Sequence, residues 1–134
     1  MQVRDGLPLY QQAGLRVVAL SMGGPTRVRE AREKLKLPFT LLCDPQRVGY
    51  TAYGLLTMDT RRERSLSNAA AMVRATLRHG GGLPGPEEDV RQLGGMFVVA
   101  QDGRLLYAHR ALIAADLPPN EEIIAHAMAS LARA

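Results

Sequence analysis

The chain has 134 residues, of which 46% are hydrophobic and 22% charged, the length and balance of one globular domain with a single core. A single cysteine, Cys43, excludes an intrachain disulfide framework, a Cys-x-x-Cys redox pair and a multi-cysteine zinc site. The net charge is +4, and no apolar run is long enough for a membrane span or a secretory leader.

Val3 to Gln12 reads as the end of a helix, with Pro8 awkward inside it and Gly14 as its stop. Arg16 to Met22 follows as a strand. Its continuous run Val17-Val18-Ala19-Leu20 suits a parallel strand covered on both faces. Gly23-Gly24-Pro25 turns into a helix whose apolar stripe is Val28, Ala31 and Leu35, with Leu37-Pro38 after it. Phe39 to Cys43 is a second apolar strand. Asp44 is expected to cap a short helix from Gln46 to Tyr53, with Pro45 at its first position and Gly54 closing it.

Ser65 or Ser67 opens a longer helix to about Arg78, on which Leu66, Ala70, Val73 and Leu77 recur at helical spacing. Gly80-Gly81-Gly82 with Pro84 and Pro86 is a loop, and Glu87-Glu88-Asp89 can begin one helical turn. Met96 to Ala100 and Arg104 to His109 form a hairpin about Asp102-Gly103. Asn120 is expected to cap the last helix, with Ile124, Met128 and Leu131 facing the core. Strands alternating with helices give an α/β class, and residues 1–134 form one domain with no internal repeat.

Few residues offer chemistry. Ser21-Met22-Gly23-Gly24-Pro25 could hold an anion on free backbone amides or be an ordinary tight turn, and it matches no nucleotide motif. Cys43 closes an apolar strand just before a helix start. Such a thiol can be activated, yet Asp44 sets a negative charge beside it, and a cysteine in an apolar strand is more often a small core residue. His79, His109 and His126 show no ligand spacing, so neither a metal nor a cofactor is expected. Between Asp59 and His79, Arg61, Arg62, Arg64, Arg74 and Arg78 outnumber two acids. A solvated helix face accounts for this run, which lacks the interleaved aromatics of single-strand binding, and nucleic acid is not an expected partner. The cytoplasm is the expected location, because an unpaired cysteine suits its reducing conditions.

Three ordered segments resemble the peroxiredoxin-like branch of the thioredoxin superfamily, the alkyl hydroperoxide reductase/thiol-specific antioxidant group. They are Gly14 to Ser21, Leu37 to Pro45 with Tyr50 and Tyr53-Gly54-Leu55, and Leu93 to Val99 with Asp102-Gly103-Arg104 and Tyr107 to Arg110. Asp116 and the last helix also fit.

The resemblance implies a thioredoxin-like sheet flanked by helices and thiol-dependent peroxide or disulfide chemistry. A thiol reductant or a second copy would be the partner. It also implies that the family's redox cysteine follows a central strand lying between Val17–Leu20 and Met96–Ala100. Met1 to Asp5 resembles the middle of the helix after that cysteine, so the first core strand and cysteine loop are expected to lie upstream of Met1. Cys43 is then not the family's catalytic position. Gly94-Gly95 stands where related proteins carry a cis-proline or an arginine. The two flanking half-sheets are expected to close on each other, to be covered by a second chain, or to await the upstream strand.

Overall fold

The structure is a computed structural model that describes residues 2–58, 89, 91–113 and 116–133. The helix expected over 65–78, the glycine loop and the whole arginine-rich run from 59 to 79 lie outside these residues.

The first helical stretch is broken in two, α1 (Gln2–Asp5) and α2 (Leu7–Gln12), with Gly6 between them. A side chain on Gly6 would collide with the Asn120 amide. Pro8 lies in the first turn of α2, where a missing amide costs no helical hydrogen bond. The chain leaves α2 through Gly14 at φ 73°, and the Leu15 amide donates to the Tyr10 carbonyl at 2.8 Å.

Strand β1 (Val18–Ser21), helix α3 (Pro25–Leu35) and strand β2 (Thr40–Cys43) form a parallel β-α-β unit. The register pairs Val18 with Thr40, Ala19 with Leu41, Leu20 with Leu42 and Ser21 with Cys43. Val28 is buried on α3, whose C-cap Lys36 takes the left-handed conformation at φ 47°. Contrary to the expectation of cover on both faces, Val18, Leu20 and Leu42 are 43%, 44% and 48% exposed. The register sets all three on one face, and that face is open among the described residues.

Helix α4 is shorter than expected, Val48–Ala52, because Arg47 adopts a left-handed conformation at φ 57°. Strands β3 (Gly95–Val99) and β4 (Leu105–Arg110) form the expected hairpin, with Gly103 at φ 87° in its turn and an irregularity at Val98/Val99. Helix α5 (Asn120–Ala132) follows. Among the described residues β1–β2 and β3–β4 are separate two-stranded sheets, with no hydrogen-bonded pairing between β1 and β3. The half-sheets therefore do not close directly on each other. Mixed helices and small sheets in this order agree with an α/β thioredoxin-like architecture.

The main core lies between α2, α5 and the hairpin. Tyr10, Val98, Ile123 and Ala127 are its buried members, and Val3, Leu15, Val17, Met96, Ile124 and Met128 pack around them. Ile123 is 1% and Ala127 0% exposed. Ile124 and Met128 thus face the core as expected, but Leu131 is 46% exposed.

Asn120 departs from its expected capping role. Pro119 is the N-cap, and the Asn120 side chain turns inward. Its Oδ1 accepts the Tyr10 hydroxyl at 2.9 Å and its Nδ2 donates to the Gln2 carbonyl at 3.1 Å. Burial pushes the Tyr10 phenol pKa up, with Glu121 and Tyr107 adding to the effect, so the hydroxyl stays a donor.

Tyr10→Phe leaves the Asn120 carbonyl oxygen unpaired and should lower unfolding stability by roughly 1–2 kcal/mol. Asn120→Ala strands both partners and should cost at least as much, read as a lower urea midpoint at constant slope. The raised Tyr10 pKa adds a pH signature. As pH rises past the unfolded tyrosine value, ~10, the unfolded chain loses its proton first and stability falls. Tyr10→Phe should flatten that alkaline slope in denaturation curves taken at successive pH values.

Candidate functional site

The C-terminal ends of β1 and β2 lie side by side, which brings the Ser21 turn, Cys43 and the start of α4 together. Ser21 is the register partner of Cys43, and the Asp44 amide donates to the Ser21 carbonyl at 2.7 Å. The Asp44 carboxylate then takes the N-terminal pole of α4. Its Oδ1 accepts the Val48 amide at 2.9 Å, and its Oδ2 accepts those of Gly49 at 2.8 Å and Tyr50 at 3.4 Å. Asp44 thus caps from a distance, with Pro45 in the intervening turn instead of at the first helical position. Gly49 is required here, because a Cβ would meet both the Leu20 side chain and the Asp44 carboxylate.

Cys43 is exposed and α4 begins five residues later. A helix N-terminus activates a thiol through free amides aimed at the sulfur. Here those amides are aimed at Asp44. Among the described residues nothing hydrogen-bonds the Cys43 thiol.

The turn after β1 is also partly spent on itself. The Gly23 amide donates to Ser21 Oγ at 3.2 Å, and Pro25, at the start of α3, has no amide hydrogen. This is the arrangement of a tight turn.

A second constellation ties α4 to the hairpin. The Tyr53 and Phe97 rings lie 4.6 Å apart with a 52° tilt. The Arg110 guanidinium sits 5.3 Å from the Phe97 centroid, and its Nε donates to the Tyr53 carbonyl at 2.7 Å. Gly95 beneath has no room for a side chain, because the His109 carbonyl, Leu55 and Phe97 crowd its Cβ position. No peptide bond described is cis. Sequence reasoning missed this stack, and its signal was the unusual pairing of scarce aromatics with Gly54 and Gly95.

Nearby, Arg47 donates to Asp89 at 2.9 Å and to Gln92 at 3.4 Å. The Asp89 carboxyl is held below the usual range by the Arg91 backbone amide first and then by the Arg47 guanidinium. Residues 56–58 and 91–93 are joined by the bonds Met58 to Arg91 at 2.7 Å and Leu93 to Leu56 at 2.9 Å.

The histidines stand apart. His109 Nε2 donates to the Asp116 carbonyl at 3.1 Å, whereas His126 faces Tyr107 at 6.0 Å between rings. His79 lies outside the described residues. Among the described residues no three His, Cys, Asp or Glu side chains are grouped to hold a metal, and no helix is long and apolar enough to cross a membrane.

A family model described as AhpC/TSA antioxidant enzyme matches residues 3–111. Comparison with curated proteins finds no match.

Asp44→Ala should release the α4 amides and cost about 1–2 kcal/mol of stability, whereas Cys43→Ser, at an exposed strand end, should stay within about 0.5 kcal/mol. Both are read from denaturation midpoints. On acidification, the Arg47 link to Asp89 is held down to a pH below the ordinary carboxylate range. Its contribution is present above the unfolded pKa and disappears as pH falls through the lower folded one. A carboxyl-carbon NMR titration of Asp89 should therefore move up in pH in Arg47→Ala.

Proposed function

The chain belongs to the AhpC/TSA antioxidant family, and on that premise we propose that the family's thiol-redox chemistry does not run through Cys43. Peroxide reduction by a thiol begins with thiolate attack on the O–O bond. The sulfur is oxidised to sulfenic acid and the leaving oxygen departs as alcohol or water after protonation. A reductant thiol then returns the sulfur through a mixed disulfide. The attacking sulfur needs a neighbourhood that favours its anion.

One observation carries the reading. The Asp44 carboxylate occupies the amides at the start of α4, so the nearest helix terminus stabilises Asp44 and not a Cys43 thiolate. Cys43 is the one cysteine of these 134 residues, so on this reading they hold no peroxidatic thiol and no sulfenic acid for a thiol reductant to reduce. A lone thiol with no disulfide partner also suits a reducing compartment such as the cytoplasm.

A second reading, a non-catalytic thioredoxin-like binding or dimerisation module, is favoured by the separate sheets, which among the described residues leave β1 and β3 each with one strand neighbour.

Hydrogen peroxide consumption with dithiothreitol as reductant tests the main reading. The chain and its Cys43→Ser variant should both match the protein-free rate. Consumption by the parent that disappears in Cys43→Ser would overturn it.

A further inference from the structure

A cleft of about 420 Å³ lies between β4 and α5 and shares no lining residue with Cys43, Asp44 or α4. Leu106, Tyr107 and Ala108 line it from the strand. His126, Ala129 and Ser130 of the helix, with Arg133 at its C-cap, line it from the other side. Spacings of three and four residues set these helix positions on one face. A volume of this size is in the small-molecule range.

The two ends of the cleft differ in chemistry. At one, the Tyr107 and His126 rings stand 6.0 Å apart with a 48° tilt. At the other is the positive charge of Arg133. Among the described residues this guanidinium meets no carboxylate, and its one side-chain bond, from Nη2 to Ser130 Oγ, is long at 3.5 Å. The acids gather at the aromatic end. Glu122 is one turn before His126 on the same helix face. Burial pushes the Tyr107 phenol pKa up, with Glu122 and Asp116 adding to the effect. Tyr107 therefore stays a neutral hydroxyl, and an anion is drawn to Arg133 instead of to this end. The negative pole of α5 also lies near Arg133, but it is equivalent to about half a charge against the whole charge of a guanidinium.

We infer that this cleft binds a small arylalkanoate, a monocarboxylate whose aromatic ring is joined through a short aliphatic link. The ring lies against Tyr107 and His126, and the link crosses Ala129, whose methyl group leaves room for it. The carboxylate takes two N–H groups of Arg133 in the planar fork that suits it. Ser130 Oγ, already accepting from Arg133, keeps its own O–H to donate to the same carboxylate. From His126 to Arg133 the helix rises about 10 Å, the reach of a ring, two methylenes and a carboxylate. Leu106, Ala108 and Ala129 are an apolar lining that a bare inorganic anion would leave unfilled. The site goes beyond the thiol reading and uses no cysteine.

The probe is 3-phenylpropionate, titrated into the isotope-labelled full chain and followed by NMR. Saturation at about 1 mM should shift the signals of Leu106 to Ala108 and of His126 to Arg133 together. 3-Phenylpropionamide keeps the ring and loses the charge, and acetate keeps the charge and loses the ring. Each should bind at least ~10-fold more weakly. Arg133→Gln should weaken 3-phenylpropionate by a similar factor and leave 3-phenylpropionamide unchanged. Ala129→Leu, at an exposed helix position where leucine keeps a high helix propensity, should fill the cleft and abolish binding of both. Thermal midpoints near that of the parent show that the variants fold. No saturation by about 10 mM would overturn the proposal, as would shifts outside these two segments, equal binding of the amide, or indifference to both variants. Inorganic phosphate binding as tightly as 3-phenylpropionate would also overturn it, in favour of a plain anion site. Cys43→Ser should bind as the parent does, so a peroxidase assay that found Cys43 active would leave these outcomes unaltered.

Discussion

The contact that orders most of this structure is the buried triangle of Gln2, Tyr10 and Asn120. The Asn120 amide fills the space that Gly6 leaves, accepts the Tyr10 hydroxyl and donates to the Gln2 carbonyl. Residues more than a hundred positions apart are fixed by a side chain with both a donor and an acceptor. An aliphatic residue of similar size would leave two buried polar groups unpaired, which costs more than its own burial returns. Once α2 is seated against α5, the chain emerging through Gly14 must deliver Leu15 and Val17 to the cluster around Val98 and Ile123. That fixes where β1 starts. With few aromatics available, the core is built from aliphatic contacts about one phenol, and the polar triangle supplies orientation that aliphatic packing supplies poorly.

From that anchor the rest is held by short-range devices at helix ends. Asp44 satisfies the first amides of α4 and ties β2 to β1 through its own backbone. Arg110 reaches from β4 to the carbonyl at the other end of α4 while lying over Phe97. Helix α4 is thus gripped at both poles by different sheets. A five-residue helix has little stability of its own, so these tertiary contacts account for its presence and for the close approach that Gly49 and Gly95 permit.

Much of this order is legible in the sequence. The run Val17 to Leu20, the glycine-proline entry to α3, the apolar stretch before Cys43 and the Asp102-Gly103 turn all declare themselves through local chemistry. The inward turn of Asn120 does not. An asparagine before two glutamates has the pattern of a cap, and only the distant Tyr10 hydroxyl makes the inward rotamer better. The shortened α4 has the same origin. The sequence pattern starts the helix right after Pro45, but Asp44 reaches amides three residues further on with Arg47 in a left-handed turn. The sequence sets Cys43 beside a carboxylate and ahead of a helix start. Which of the two captures the helix amides is a matter of geometry beyond the reach of spacing. Openness of the Val18, Leu20 and Leu42 face was hidden too, since a continuous apolar run signals burial on both sides wherever cover exists.

The separate sheets and the carboxylate-capped start of α4 share a physical basis. Thiol activation requires oriented amides and a sulfur held against them, and both come from backbone ordered by neighbouring strands and helices. At the end of β2 the ordered amides are spent on a carboxylate, while among the described residues β1 and β3 each keep one edge without a strand partner.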